Sequence, residues 1–263
     1  MADYIYYYSG TGNSFYLASK FSKLFNIEAK NINECEKFEY DLDKVGLFIP
    51  SLFGRINEQV INFLNKLSFN NTYIYVIVSA KDGKCLKMID EILEKKNTKI
   101  SYGKYIDCPN NDIIRMFSKT LKDYKSKKLL DKAVKELDNI YDDIKNNKVI
   151  DYKENNKLSK YKKLNNKEFY DKIRNFGDYF MVNDNCIRCG ICEINCESKN
   201  ITLQEGFPMW KDHCDGCLRC INMCPHNAIE FEGNTKDKRR YKNPYVDLDE
   251  YGIYLKDEVE ENE

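Results

Sequence analysis

The chain has 263 residues, enough for one large domain or two modest ones, each with a proper core. Its 42 Lys and Arg balance 42 Asp and Glu, so no net field draws the whole molecule to nucleic acid or to an anionic membrane. The longest apolar run, within residues 72–80, is far short of the roughly 18 residues of a membrane span, and residues 1–20 lack a basic start followed by an apolar stretch, which points to a cytoplasmic chain with no membrane insertion. Charge is nevertheless unevenly spread, with balances of 0 over 1–114, +8 over 115–175 and −8 over 176–263. Eight of the 11 cysteines fall between Cys186 and Cys224 at short fixed spacing, a pattern of metal ligation rather than of a secreted disulfide framework. These shifts predict a first domain over 1–150, a connector over 151–177, a cysteine module over 178–236 and an acidic extension over 237–263.

In chain order, residues 4–8, 45–49 and 73–78 are short β-branched or aromatic runs, as expected of strands buried on both faces of a sheet, with weaker strands at 27–32 and 100–106. Residues 14–25, 57–67 and 84–95 space their apolar side chains by three and four, as in Ile61, Leu64 and Leu67, and predict the intervening helices. Strand and helix in alternation imply an α/β, doubly wound parallel sheet, and five strands fit a flavodoxin-like order better than a six-stranded Rossmann domain. Residues 115–147 read as helix, with Leu129, Leu130, Ala133, Val134, Leu137, Ile140, Tyr141 and Ile144 in an apolar stripe. The Lys- and Asn-rich stretch 145–172 reads as a surface helix or linker, and the acidic end as a solvated tail.

The first strand runs into Ser9-Gly10-Thr11-Gly12-Asn13-Ser14 and then a helix, so hydroxyls, small residues and free amides converge as a phosphate site requires. It lacks the Gly-Lys-Ser/Thr ending of a nucleotide P-loop and the third glycine of G-x-G-x-x-G. The competing reading is an ordinary capped β-to-α turn. At the carboxyl ends of the third and fourth strands lie Pro50-Ser51-Leu52-Phe53-Gly54-Arg55 and Ser79-Ala80-Lys81-Asp82-Gly83, where such sheets bind ligands. Phe53 suits stacking on a planar ring, and Arg55 or Lys81 suits holding negative charge near it; a core-packed aromatic and two solvated cations are the alternative.

The cysteine module repeats C-x2-C-x2-C-x3-C, as Cys186, Cys189, Cys192, Cys196 and then Cys214, Cys217, Cys220, Cys224, followed by Pro225. This is the two-cluster ferredoxin run, in which the fourth cysteine serves the other cluster. It assigns one [4Fe-4S] cluster to Cys186, Cys189, Cys192 and Cys224, and a second to Cys214, Cys217, Cys220 and Cys196. Zinc sites pair C-x2-C knuckles across a gap and do not use a third cysteine at this spacing. Gly190 and Gly216 ease the turns, or are simple turn glycines. Glu197 stands where the second run has Pro225. His213 and His226 read as turn histidines beside the ligands, and Trp210 as an apolar plug over the second cluster. Cys35, Cys85 and Cys108 are left over; Cys85 sits at a helix start, which lowers a thiol pKa, although most isolated cysteines are structural.

Taken together, the hydroxyl-x-Thr-Gly-Asn-hydroxyl loop and the two cysteine runs resemble those of a bacterial and archaeal family that fuses a flavodoxin-like domain to a two-[4Fe-4S] ferredoxin. Cys108-Pro109-Asn110-Asn111 and Arg240-Tyr241-Lys242-Asn243-Pro244 are similar to two further segments of that family. The resemblance implies FMN in the first domain, two clusters in the second and electron transfer between them. It implies an electron carrier that couples FMN to the clusters and passes low-potential electrons between redox partner proteins. A flavin-dependent reductase of a small organic substrate fed by the clusters, and an iron–sulfur sensor or interaction module, are the alternatives. The Lys-rich connector mixes its charges with Asn and acids, which reads as a solvated face and not as a nucleic-acid surface. Ferredoxin chemistry and the abundance of Lys, Asn, Ile and Tyr associate the chain with an anaerobe of AT-rich genome.

Overall fold

Two central strands are apolar on both faces, and this decides the layering. In β3 (Leu42–Pro50) Val45, Leu47, Phe48 and Ile49 are buried, and in β4 (Tyr73–Ser79) the run from Ile74 to Val78 is buried without a break. Strands of this composition need helices on both sides, which a parallel sheet with crossover helices supplies. The sheet is completed by β1 (Ala2–Tyr7), β2 (Ala29–Asn31) and β5 (Tyr102–Tyr105), all pairs parallel, in the order β2-β1-β3-β4-β5. This is the flavodoxin-like order expected from the sequence, with its topological switch at β1 and β3.

The computed structural model describes residues 2–35, 42–115, 118–150, 152, 165–247 and 251–252. Residues 151 and 153–164 of the expected connector and nearly all of the acidic end beyond residue 247 lie outside the described residues. The chain divides into two compact units, one of Met1–Ser9, Asn13–Pro109 and Tyr124–Lys163, the other of Gly10–Gly12, Asn110–Asp123 and Leu164–Glu263.

In the first unit the helices are α1 (Asn13–Phe25), α2 (Glu58–Lys66), α3 (Cys85–Leu93) and α4 (Asp123–Lys145), whose first residue the division assigns to the second unit. Phe21 of α1 packs on Phe48 and Tyr75 at ring separations of 5.4 and 5.8 Å. In α4, Leu130, Ala133, Leu137, Ile140 and Ile144 form the expected buried stripe. The helix begins at Asp123 and not at Arg115, because Asp112 draws the chain into a side-chain turn by accepting from the amides of Ile114 and Arg115.

The second unit is a pseudo-repeat of strand, cysteine run, short helix and strand. It contains α5 (Asn166–Arg174), β6 (Phe180–Val182), α6 (Ile191–Ile194), β7 (Ile201–Gln204), β8 (Phe207–Trp210), α7 (Arg219–Met223) and β9 (Ile229–Phe231). β6 pairs antiparallel with β9, and β7 with β8. The core is aromatic, with Phe180 stacked on Trp210 at 5.2 Å and edge-on to Phe231 at 5.1 Å. Asn165 and Glu168 close a reciprocal capping box at the start of α5, which fixes helix in a stretch whose polarity left helix and linker open. Among the described residues no helix is long and apolar enough to cross a membrane.

Candidate functional site

Both cysteine runs use the same backbone device. Arg188 (φ 64°) and Gly190 (φ 78°) flank Cys189, and Gly216 (φ 67°) and Leu218 (φ 60°) flank Cys217. Left-handed residues on both sides of the middle cysteine wrap each run into a tight loop before α6 or α7 begins. Glycine takes one such position in each run at no steric cost, while Arg188 and Leu218 accept it at the other.

The fourth cysteines cross over. Cys186, Cys189 and Cys192 line one cavity of about 390 Å³ together with Cys224, and Ile191, Leu203 and Ile229 add apolar wall. Burial pushes Cys192 up to about 12, with Cys189 and Cys224 adding to the shift. Cys214, Cys217 and Cys220 are likewise raised by burial first, and each of the three also feels Cys196. Backbone amides back the two crossing thiols in the same way: Asn200 N–H donates to Cys196 Sγ at 3.2 Å and Ala228 N–H to Cys224 Sγ at 3.3 Å. Each donor lies four residues beyond its cysteine, as the repeat requires.

Thiols gathered this way fit a centre that takes up their negative charge. Buried donors fit too. The Nε and Nη1 of Arg240 are buried without a hydrogen-bond acceptor, and the buried Nε1 of Trp210 faces sulfur alone. Trp210 lies against Cys220. Arg240, its pKa lowered by burial, is near enough to Cys224 and Cys220 for their charges to oppose that shift. Donors beside ligand sulfur are satisfied by a sulfur cluster and by little else here. Of the two histidines, His213 Nε2 pairs with Lys199 O at 3.2 Å and His226 is exposed. Cys85 and Cys108 are buried. Burial raises the Cys108 thiol, with Asp107 and Glu136 adding to it, and Cys35 Sγ donates to Asn31 O at 3.3 Å.

The Ser9-to-Ser14 loop is enclosed, with Ser9, Thr11, Asn13 and Ser14 at most 9% exposed. Within the second unit, three successive carbonyls are engaged: Gly10 O accepts from Arg219 Nε (3.1 Å), Thr11 O from Asn243 N (3.0 Å) and Gly12 O from Asn243 Nδ2 (3.4 Å). The first turn of α1 carries no acidic side chain. In the first unit the loops at the carboxyl end of the sheet are tied together. Ser14 Oγ bonds Ser79 Oγ at 2.7 Å, Asn13 Nδ2 donates to Pro109 O at 2.8 Å, and Lys84 N donates to Gly54 O at 2.7 Å.

Between Leu52 and Arg55, which exchange backbone hydrogen bonds of 2.8 and 3.0 Å, Phe53 (φ 49°) and Gly54 (φ 89°) form a tight turn with both centres left-handed. A half-buried phenylalanine held there is an outlier of the kind that collects at ligand sites. Pro50, Ser51, Ser79, Ala80 and Asp82 are partly exposed around this turn, Leu52 and Gly83 are buried, Lys81 is exposed, and Arg55 is only 8% exposed rather than a solvated cation. Sequence reasoning missed Arg219, Arg240 and the role of Asn243. Arg219 was visible only as a basic residue inside the second run, and Arg240 and Asn243 only as members of the 240–244 segment, with no role attached.

Residues 208–230 match the 4Fe-4S binding domain family. Over 49 residues the chain is 43% identical to the pyruvate synthase subunit PorD of Methanocaldococcus jannaschii, covering 18% of this chain and 57% of that protein. Over 66 residues it is 32% identical to the polyferredoxin protein MvhB of Methanothermus fervidus, covering 23% of this chain and 16% of that one. The chain thus spans little more than half of the first of these relatives and a sixth of the second. Among solved structures, a Streptococcus pneumonia TIGR4 flavodoxin aligns over 52% of this chain and 98% of its own at 14% identity and TM-score 0.33. A flavodoxin from the domain Archaea aligns over 55% and 99% at 11% identity and TM-score 0.32. The flavodoxin-like description rests on the strand order β2-β1-β3-β4-β5, and with the family match it makes this chain a flavodoxin-like sheet joined to a 4Fe-4S ferredoxin-type domain.

Proposed function

We propose that the chain is an electron carrier that couples FMN to two [4Fe-4S] clusters and passes low-potential electrons between redox partner proteins. Cys186, Cys189, Cys192 and Cys224 hold one cluster, and Cys214, Cys217, Cys220 and Cys196 the other. The observation that carries this reading is the crossing of the fourth cysteines, since a run closed on itself would need only one centre each and no exchange of ligands. Amide donors at Cys196, Cys214 and Cys224, and the buried N–H groups of Trp210 and Arg240, solvate the sulfur.

For the flavin, Ser9-Gly10-Thr11-Gly12-Asn13-Ser14 binds the phosphate and the 50–55 and 79–83 loops flank the ring, with Phe53 stacking on it. When bound, FMN supplies one- and two-electron chemistry, which clusters limited to single electrons lack. Asn243 and Arg219 hold the loop carbonyls, Ser14 and Ser79 brace its end, and Phe53 excludes water from one ring face. The domain limits 1–150 and 178–236, with a connector at 151–177 and an extension at 237–263, belong to this proposal, as do partner proteins related in role to the subunits named above.

Anaerobic reconstitution followed by iron and flavin analysis of one sample tests the proposal. About eight irons and one FMN per chain are expected. Eight irons with no flavin would remove the carrier role proposed for the first unit.

A further inference from the structure

The residue after Cys196 is Glu197, where the corresponding place after Cys224 is Pro225. A proline there would serve to shape a turn. Yet the two turns are alike without it. Lys199 N–H donates to Cys196 O at 2.8 Å with Lys199 at φ 52°, and Asn227 N–H donates to Cys224 O at 3.2 Å with Asn227 at φ 50°. Glu197 is therefore not needed for the turn, and its charge has another use.

That charge is buried. Glu197 Oε1 meets Arg219 Nη2 at 2.6 Å, the side chains being 10% and 6% exposed. Arg219 is held from every side. Its Nε donates to Gly10 O at 3.1 Å, Nη1 to Asn195 O at 3.3 Å and Nη2 to Tyr251 Oη at 2.7 Å, and the guanidinium lies 4.8 Å over the Tyr251 ring. A cation fixed by four acceptors cannot swing away to solvent. It lies between two cysteines of the second run, Cys217 and Cys220, while Glu197 adjoins Cys196, which joins the same group of thiols. Arg219 is two residues from Cys217 and one from Cys220 in the chain and is itself buried, so its fixed charge stands beside the second run with little solvent to screen it.

We propose that the Glu197–Arg219 pair sets the reduction potential of the cluster held by Cys196, Cys214, Cys217 and Cys220, Arg219 favouring the reduced form and Glu197 holding that effect down. The inference rests on the two-cluster reading. Reduction adds one electron from an external donor and one unit of negative charge at the cluster, so a nearby buried cation raises the potential and a nearby buried anion lowers it, with little screening at this depth. A stabilising ion pair alone would be an expensive choice here, since two desolvated charges are often no better than an apolar pair.

The test is a dithionite titration of the full reconstituted chain followed by electron paramagnetic resonance, with iron counted first. Glu197→Gln, nearly isosteric, is expected to move one of two midpoints to more positive potential and leave the other in place. Arg219→Gln is expected to move the same midpoint the opposite way. Glu205→Gln removes an exposed carboxylate from the β7–β8 turn and is expected to stay at the parental value. Shifts of the same sign in Glu197→Gln and Arg219→Gln, or no shift with parental iron content, would overturn the inference alone. Should Arg219→Gln shed iron, Glu197→Gln decides: an unmoved midpoint there overturns it. A parental chain that takes up only about four irons overturns the two-cluster reading and the inference together.

Discussion

At Cys196 and Cys224 the neighbours that matter are not the neighbours in the chain. Cys224 shares its cavity with the first run, so Cys224→Ser should cost the protein the first cluster and about half of its iron. Adding Cys186→Ser to Cys224→Ser should then remove little more, whereas adding Cys214→Ser should remove the rest. Iron analysis of the three variants checks this, and an additive loss for Cys186→Ser would mean that the runs do not cross. Phe53 offers a second residue-scale test. Its left-handed φ costs of order 1–3 kcal/mol, which Phe53→Gly relieves while it gives up partial burial. The flavin-free variant should therefore melt within a few degrees of the parent, yet bind FMN up to about tenfold more weakly for want of ring stacking. Unchanged affinity in a fluorescence titration would take Phe53 out of the flavin site. The departure at Glu197 was legible in the sequence, but its meaning was not, because its partner Arg219 lies in the other run.

Among the elements, the strands and helices of the first unit were legible because each is coded by a local apolar period, and the observed bounds lie within a few residues of those expected. The start of α4 was not, since Asp112 competes for the preceding amides through its side chain. The capping box at Asn165 and Glu168 was a readable signal in a stretch whose polarity masked it. The β4–β5 edge makes a prediction of its own. Burial raises Tyr73 to about 12 and raises Tyr75 and Tyr102 further, with Asp143 adding to the rise at Tyr73 and Tyr102, and Asp3 and Tyr73 to that at Tyr75. A raised pKa means the folded chain keeps these protons after an unfolded tyrosine, near 10, has lost its own. Their contribution is complete below about pH 10 and is lost as pH rises beyond it. Denaturant midpoints should fall above pH 10, and less steeply in Tyr102→Phe. A flat profile to pH 12 would show that these hydroxyls are not closed off from water.

On the scale of the whole molecule, the second unit builds its structure from strands of three and four residues and cysteine-run helices of four and five. Elements so short bury too little apolar area to hold alone, so the metal centres should carry much of its folding energy. Chelating the iron is expected to abolish hydrogen-exchange protection across 176–231 and to expose Trp210, the sole tryptophan, while β3 and β4 stay protected. Full protection across 176–231 after complete iron loss would show that the aromatic core of Phe176, Phe180, Trp210 and Phe231 suffices.

By itself the sequence determined whatever depends on near neighbours: the strand and helix periods, the α/β class, the two cysteine spacings and the turn from the first strand into the first helix. Each is set by contacts or dihedrals within a few residues, so a string of residues is enough to read it. Tertiary structure alone decided that Glu197 faces Arg219, that Asn243 and Arg219 take the carbonyls of Gly10, Thr11 and Gly12, and that Arg240 and Trp210 bring buried donors to the cysteines. Those relations join residues far apart in the chain, and only closure of the fold, which removes water and leaves each buried polar group to find a partner, selects them.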